Sequence, residues 1–179
     1  MTIAIGESIP VVTLKRLTPK GLEDINTGAF FDESKVVLFG LPGAFTPVCS
    51  ASHLPGYVAL LPAFNAKGIK VACLSVNDAY VMDAWATSIH AEGVTMLADG
   101  NAAFTKALGL DVDETALGYG IRCKRSALYA ENGIVKLIVV EKPGVFEKTS
   151  ASAMLEAITG VKAAPDESGS CGCACSCSR

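Results

Sequence analysis

The chain contains 179 residues, which is enough for one domain with a substantial core and too few for two ordinary ones. Half of the residues are hydrophobic, 18% are charged and the formal net charge is −3, so the composition is globular and lacks the basic excess of a nucleic-acid-binding protein. The longest apolar stretch, around residues 36–45, is interrupted by glycine and proline and is far shorter than the ~20 residues of a membrane span. The first residues, MTIAIGESIP, lack the basic and apolar regions of a targeting signal, so we expect cytoplasmic residence.

Short β-rich runs alternate along the chain with stretches of helical composition. The predicted strands are residues 35–41, 69–76, 94–98, 126–131 and 134–140, and the predicted helices are residues 55–67, 79–91, 102–108 and 150–159. Asn132-Gly133 predicts a tight hairpin between the last two strands, and Asn77-Asp78 predicts a helix cap. This order of elements indicates an α/β fold, a thioredoxin-like sandwich with a central mixed sheet flanked by helices.

The composition changes after residue 162. The segment APDESGSCGCACSCSR has no large apolar residue, so we predict a folded domain over residues 1–162 and a flexible Cys-rich tail over residues 163–179. Four cysteines alternate with other residues in this tail: Cys171, Cys173, Cys175 and Cys177. They could bind soft metal ions as thiolates, act as resolving thiols or have no role in the chemistry, and their spacing specifies no particular metal.

Cys49 follows a predicted buried strand and a turn rich in glycine and proline, where the next helix should begin. A helix N-terminus presents unpaired N–H groups and a partial positive charge, which favour thiolate over thiol. An ordinary cysteine with a pKa of about 8.5 is only about 3% thiolate at pH 7, and a helix dipole contributes only ~0.3–2 kcal/mol. A reactive Cys49 therefore needs further partners. The Thr46 hydroxyl is one candidate, and a cation must come from elsewhere in the chain.

The run PGAFTPVCSASHLPGY, residues 42–57, resembles the active-site loop of the peroxiredoxins, specifically the type II (peroxiredoxin-5-like) branch. SVNDAYVMDAW (75–85), LADGNAAFTKALGL (97–110), GYGIRCKR (118–125) and ENGIVK (131–136) also match, so the resemblance covers roughly residues 1–160. By position, it implies that Cys49 is the peroxidatic cysteine and that Thr46 donates a hydrogen bond to the sulfur and the peroxide. It also implies that Pro42 shields the pocket and that Arg125 supplies the cation. Arg122 is a nearby competitor for that last role.

Four other residues invite alternative roles. His53, four residues after Cys49, suggests a Cys–His dyad, but the family gives it no base role and we expect a structural hydrogen bond. Cys73 lies in an apolar strand, where it is either an inert buried thiol or, as in plant-like type II members, a resolving cysteine. Cys123 is predicted to be structural. Animal-like members carry their resolving cysteine near the position of Thr149, so the animal-type disulfide is not expected here.

The resemblance implies a thiol-dependent peroxidase that reduces hydrogen peroxide and organic hydroperoxides, with roles in antioxidant defence and redox homeostasis. The Cys49 thiolate would form a sulfenic acid, which glutaredoxin with glutathione, or thioredoxin, would reduce through a disulfide. The resemblance implies no metal or organic cofactor, and it suggests a homodimer. One alternative is a thioredoxin-like disulfide reductase, which the lack of a C-x-x-C motif at Cys49 disfavours. The other is a thiol-rich metal-binding protein, which depends only on the tail.

Overall fold

A computed structural model describes residues 1–160, and its central feature is a mixed seven-stranded sheet. The strands are β1 (Thr13–Thr18), β2 (Gly21–Asn26), β3 (Lys35–Gly40), β4 (Ile69–Ser75), β5 (Thr95–Ala98), β8 (Ser126–Glu131) and β9 (Ile134–Val140). Their order across the sheet is β2-β1-β5-β4-β3-β8-β9, with β3, β4 and β5 parallel and the other pairs antiparallel. Two short strands, β6 (Asp111–Asp113) and β7 (Ile121–Cys123), form a separate antiparallel pair.

Helices cover both faces of this sheet. They are α1 (Thr27–Phe31), α2 (Leu54–Asn65), α3 (Ala79–Ser88), α4 (Ala103–Ala107) and α5 (Ala151–Thr159), with a π-helical turn at Cys49–His53 and a 3₁₀ turn at Thr115–Leu117. Within residues 1–160, no helix has the length and apolar character needed to span a bilayer. The architecture confirms the predicted thioredoxin-like sandwich with a central mixed sheet flanked by helices.

The side chains of β3 show why its sequence is almost continuously apolar. Val37 and Phe39 point to one face of the sheet, where they pack in a core with residues of α2, α3 and α5. Val36 and Leu38 point to the other face and pack in a second core with Phe31 of α1 and residues of α4. Successive side chains of a strand alternate between faces, so a strand covered on both sides is apolar at every position.

The five predicted strands and four predicted helices are confirmed, with shifts of a few residues at their ends. The tight hairpin between β8 and β9 has positive φ angles at Asn132 (50°) and Gly133 (73°), as its sequence predicts. β1, β2, α1 and the β6–β7 pair were not predicted from the sequence. The β1–β2 hairpin lies at one edge of the sheet, and each of its strands carries two adjacent charged residues between two apolar ones. Two cross-strand ion pairs, Lys15–Asp24 and Arg16–Glu23, join the strands.

Candidate active site

The loop that carries Cys49 leaves the carboxyl end of β3 and is fixed to the neighbouring strand β4. The Leu41 backbone N–H donates to the Leu74 carbonyl (3.1 Å), and the Ala44 N–H donates to Oδ1 of Asn77 (3.0 Å). Ser75 Oγ donates to the same Asn77 oxygen at 2.7 Å. Asn77 was expected to share a helix cap with Asp78. In the structure Asp78 caps α3 by accepting from N–H groups of its first turn. Asn77 instead binds the active-site loop through the Ala44 N–H.

Cys49 lies in the first turn of a helical segment that starts at residue 47 and continues into α2. From Cys49 to His53 this segment is a π-helical turn, in which the Leu54 N–H donates to the Cys49 carbonyl five residues earlier. π-Helical turns are rare and often occur at functional sites. The Cys49 side chain is fully buried, so its sulfur faces protein groups and the helix N-terminus rather than bulk water.

Arg125, immediately before β8, supplies the cation beside this sulfur. Its Nη2 donates to Cys49 Sγ at 3.6 Å, within hydrogen-bonding distance for sulfur, and its Nη1 lies 2.9 Å from Nδ1 of His53. Because β3 and β8 pair with Gly40 opposite Ser126, the chain brings Arg125 directly to the loop that follows β3. Arg122 was the competing candidate for this role. Arg122 donates instead to the carbonyls of Tyr119 (2.8 Å) and Val76 (3.3 Å).

His53 is a buried, neutral bridge rather than a base for Cys49. Arginine can only donate, so Nδ1 of His53 must accept from Arg125, and the ring proton therefore lies on Nε2, which donates to the Thr149 carbonyl (3.2 Å). Burial, and then the charge of Arg125, lower the pKa of His53 to about 3. Both ring nitrogens are thus engaged away from the sulfur, which agrees with the expected structural role and disfavours a Cys–His dyad.

The protonation of His53 predicts a pH dependence of folding stability. An unfolded histidine titrates near pKa ~6.5, whereas folded His53 takes up its proton only near pH 3. As pH falls below ~6.5, the unfolded state gains a proton that the folded state does not, so the free energy of unfolding falls by up to about 1.4 kcal/mol per pH unit. The contribution of neutral His53 to the free energy of unfolding is fully present above pH ~6.5 and is lost as the pH falls toward 3.

Urea unfolding across this pH range tests the expectation against a His53→Gln variant, which keeps an acceptor for Arg125 but does not titrate. We expect the wild-type free energy of unfolding to fall more steeply with acid than that of the variant. Parallel pH dependences would mean that His53 does not carry this linkage.

Aromatic rings enclose the Arg125–His53 pair. The Phe146 ring lies 5.6 Å from the guanidinium carbon of Arg125 and 5.0 Å from the His53 ring. Phe39 and Tyr57 stack with a centroid separation of 4.0 Å, and both rings also contact His53. These rings exclude water, and the attraction between the guanidinium and a thiolate is stronger where the local dielectric constant is low.

The two remaining predicted site residues lie on the same loop. Pro42 is half-buried, two residues after the end of β3. The Thr46 hydroxyl donates to the Gly43 carbonyl at 2.8 Å. A hydroxyl has one proton, so in this state Thr46 offers its lone pairs to an incoming donor rather than a proton to the sulfur. The roles of Thr46 as hydrogen-bond donor to sulfur and peroxide, and of Pro42 as pocket shield, stay predictions.

The other cysteines of the folded region are buried thiols. Cys73, in β4, belongs to the same core as Cys49; burial, and then the negative charge of the Cys49 thiolate, hold its pKa well above the usual value. Burial raises the pKa of Cys123 to about 12, and this side chain belongs to the core on the opposite face of the sheet. The resolving role of Cys73 stays a prediction.

The tail lies outside the described residues, so the predicted boundary at residue 162 and the thiol or metal roles of its cysteines stay predictions; these cysteines are Cys171, Cys173, Cys175 and Cys177. Over residues 1–160, the structure brings together no group of three or more His, Cys, Asp or Glu side chains suited to hold a metal ion.

A buried cysteine at a helix N-terminus, bound by arginine on a thioredoxin-like sheet, defines a thiol-based redox protein. The redoxin family model matches residues 4–155 of this chain. Peroxiredoxin-2E-2, chloroplastic, from Oryza sativa subsp. japonica is 42% identical over 164 residues, which cover 88% of this chain and 73% of the relative.

Two solved structures show the same fold. Reduced Prx3 from Vibrio vulnificus in complex with hydrogen peroxide is 46% identical and has a TM-score of 0.85, covering 88% of this chain and 99% of the other. Peroxiredoxin 5 from Alvinella pompejana is 30% identical and has a TM-score of 0.78, covering 89% of this chain and 99% of the other. The chain therefore belongs to the peroxiredoxins, in the type II branch, and is a thiol-dependent peroxidase.

Proposed function

We propose that the Cys49 thiolate attacks one oxygen of hydrogen peroxide or an organic hydroperoxide and becomes a sulfenic acid. The S–O bond forms as the O–O bond breaks, and the leaving oxygen departs with the electron pair and takes a proton to become water or an alcohol. The observation that carries this proposal is the 3.6 Å contact between Arg125 Nη2 and Cys49 Sγ at the start of a helix. The guanidinium stabilises the thiolate and, with its remaining N–H groups, the charge that develops on the leaving oxygen.

The sulfenic acid then condenses with a thiol to form a disulfide and water, and a second thiol reduces this disulfide. We propose glutaredoxin with glutathione, or thioredoxin, as the source of these thiols. Because the Cys49 side chain is buried and a disulfide needs Cβ atoms about 3.5–4.5 Å apart, a protein thiol can reach Cys49 only after the π-helical turn opens.

The test of this function is peroxide consumption by substoichiometric protein, measured with each reducing system in parallel. We expect many turnovers per Cys49 with at least one of the two systems. A single turnover with both would contradict recycling by either reductant. A disulfide reductase would instead reduce a disulfide substrate without peroxide, a reaction disfavoured because the cysteines nearest to Cys49 in sequence, Cys73 and Cys123, are buried in strands.

Exposed apolar side chains near the Cys49 loop support a homodimer. Phe45 and Val48 lie beside Cys49 in the chain, Tyr80 lies in the first turn of α3, and Leu117 and Tyr119 precede β7. The loops that precede α3 and β7 are joined by Arg122, whose guanidinium covers the Tyr119 ring (5.7 Å) and donates to the Val76 carbonyl. Exposed apolar side chains gathered in one region are typical of protein–protein interfaces, and we propose that a second copy of the chain covers this one.

Sedimentation velocity tests the dimer. We expect the wild-type protein to sediment as a dimer and a Phe45→Glu variant to dissociate, because the charge would be buried without a partner. Leu22→Glu, at an exposed position on the edge strand β2, is the matched control and should leave the dimer intact. A wild-type monomer would contradict the proposed assembly.

The three cysteines of residues 1–160 are buried and form no disulfide with one another. Free thiols of this kind suit the reducing interior of the cell, and on this basis we propose cytoplasmic residence.

A further inference from the structure

A chain of buried hydrogen bonds extends from Arg125 to the loop between β9 and α5. The His53 Nε2 proton and the Tyr57 hydroxyl both donate to the carbonyl oxygen of Thr149, at 3.2 and 3.0 Å. All three of these residues are fully buried. The orientation of the His53 ring, and therefore the acceptor that it offers to Arg125, depends on where this carbonyl lies.

Thr149 is in turn held by the carboxylate of Glu141. Oε1 of Glu141 accepts from the Thr149 backbone N–H (2.9 Å), from the Thr149 hydroxyl (3.2 Å) and from the Glu147 N–H (2.9 Å). Burial opposes ionisation of this carboxyl, but these donors outweigh it and hold the pKa of Glu141 below its usual value. One carboxylate oxygen thus closes the loop of residues 141–149 and fixes the position of the Thr149 carbonyl.

Glu141 also holds Arg125 by a second, independent route. Its backbone N–H donates to the Arg125 carbonyl at 2.9 Å, which extends the β8–β9 pairing by one residue. Glu141 therefore constrains the backbone of Arg125 directly and its guanidinium through Thr149 and His53. We propose that Glu141 is a positioning residue of the peroxidatic site, which holds the Arg125 guanidinium against the Cys49 sulfur. This inference rests on the proposed role of Cys49.

Replacing Glu141 with leucine removes the acceptor and should let the guanidinium move off the sulfur. We expect the ionisation midpoint of Cys49 to rise by about one pH unit and the rate constant for its oxidation by hydrogen peroxide to fall by on the order of tenfold to a hundredfold. Glu141→Gln keeps an Oε1 acceptor and should restore most of both properties. Glu147→Leu is the matched control, because it removes an exposed carboxylate from the same loop and should change neither.

The ionisation is followed in the full-length reduced protein by thiolate ultraviolet absorbance, as the difference between each variant and the same variant carrying Cys49→Ser. This measurement needs no peroxide, so it tests the positioning role even if the wild-type protein fails to reduce peroxide. Oxidation is followed separately by stopped-flow fluorescence of the single tryptophan, Trp85, whose Nε1 donates to Ser50 beside Cys49 (3.0 Å).

A merely structural Glu141 would give a different result: a lower melting temperature with unchanged ionisation and oxidation rate of the folded protein, which would overturn the proposal. If Glu141→Leu does not fold, Thr149→Val replaces it, because this variant keeps the shape of the side chain and loses only one donor to Glu141. A smaller shift in the same direction for Thr149→Val would support the proposal, and no shift would overturn it.

Discussion

Cys49→Ser is expected to reduce peroxide consumption to the rate at which the reductant reacts with peroxide alone. A serine hydroxyl does not ionise near neutral pH, so the variant lacks the nucleophile, and Arg125 has no thiolate to stabilise. Serine is slightly smaller than cysteine and is accommodated in the same fully buried position, so the folded structure should persist. Steady-state peroxide consumption with a thiol-reducing system measures the activity, and circular dichroism confirms the fold.

Cys123→Ser is the matched control for this experiment. Cys123 is also fully buried, but it lies in the core on the opposite face of the sheet and burial raises its pKa to about 12. This variant should retain wild-type turnover. Substantial peroxidase activity in Cys49→Ser, or its loss in Cys123→Ser, would mean that the nucleophile has been assigned to the wrong cysteine.

The second large effect is expected from Arg125→Met, which keeps an unbranched side chain but removes the cation and its donors. The thiol of Cys49 should ionise at higher pH, and the rate constant for attack on peroxide should fall by about 10²–10³-fold, the loss typical of a donor that stabilises developing negative charge. Stopped-flow oxidation measured over a range of pH separates the two effects. The loss in rate should persist above the new ionisation midpoint, because the leaving oxygen also loses its donor.

Arg122→Met removes the same group three residues earlier. Arg122 donates to the Tyr119 and Val76 carbonyls rather than to the sulfur, so its loss should affect the surrounding loops and leave the oxidation rate much less changed. Equal losses in the two variants, or a greater loss in Arg122→Met, would show that the cation at the sulfur has been misassigned.

The strands that were predicted correctly are those whose burial or turn type is evident from their amino-acid composition. β3 and β4 are apolar at nearly every position because both of their faces are buried, and the β8–β9 hairpin is marked by Asn132-Gly133. The β1–β2 hairpin was missed because β2 forms the outer edge of the sheet and most positions of the hairpin are polar or charged. The available signal was a pair of basic residues between two leucines in β1 and a pair of acidic residues between two apolar residues in β2, but its meaning depends on a pairing register that local sequence does not fix.

The residues of the candidate site were likewise only partly predictable from the sequence. Cys49 and Arg125 could be identified because the resemblance ties each to a local motif, and the structure places them 3.6 Å apart. The contacts that orient Arg125 could not be found in this way. His53 was expected to make a structural hydrogen bond, but its partners were not predicted, because Arg125 and Thr149 are 72 and 96 positions from it in the chain. Glu141, which holds Thr149, was not considered. A glutamate at the end of a strand is usually exposed, and nothing in the local sequence of Glu141 shows that its carboxylate closes a loop.

The location of Cys73 has a consequence for the lifetime of the oxidised enzyme. Cys73 lies in a strand that is bonded on both sides, opposite Phe39 in β3 and Met96 in β5. Opening such a central strand has a free-energy cost close to that of global unfolding, so a disulfide between Cys73 and Cys49 would form by opening of the π-helical turn that carries Cys49 rather than by opening of β4. The proposed sulfenic acid would therefore persist until this turn opens and a thiol reaches it. Its fate is decided by competition between that thiol and a second peroxide molecule, whose attack gives sulfinic acid, so the fraction of enzyme lost per turnover depends on the ratio of peroxide to reducing thiol.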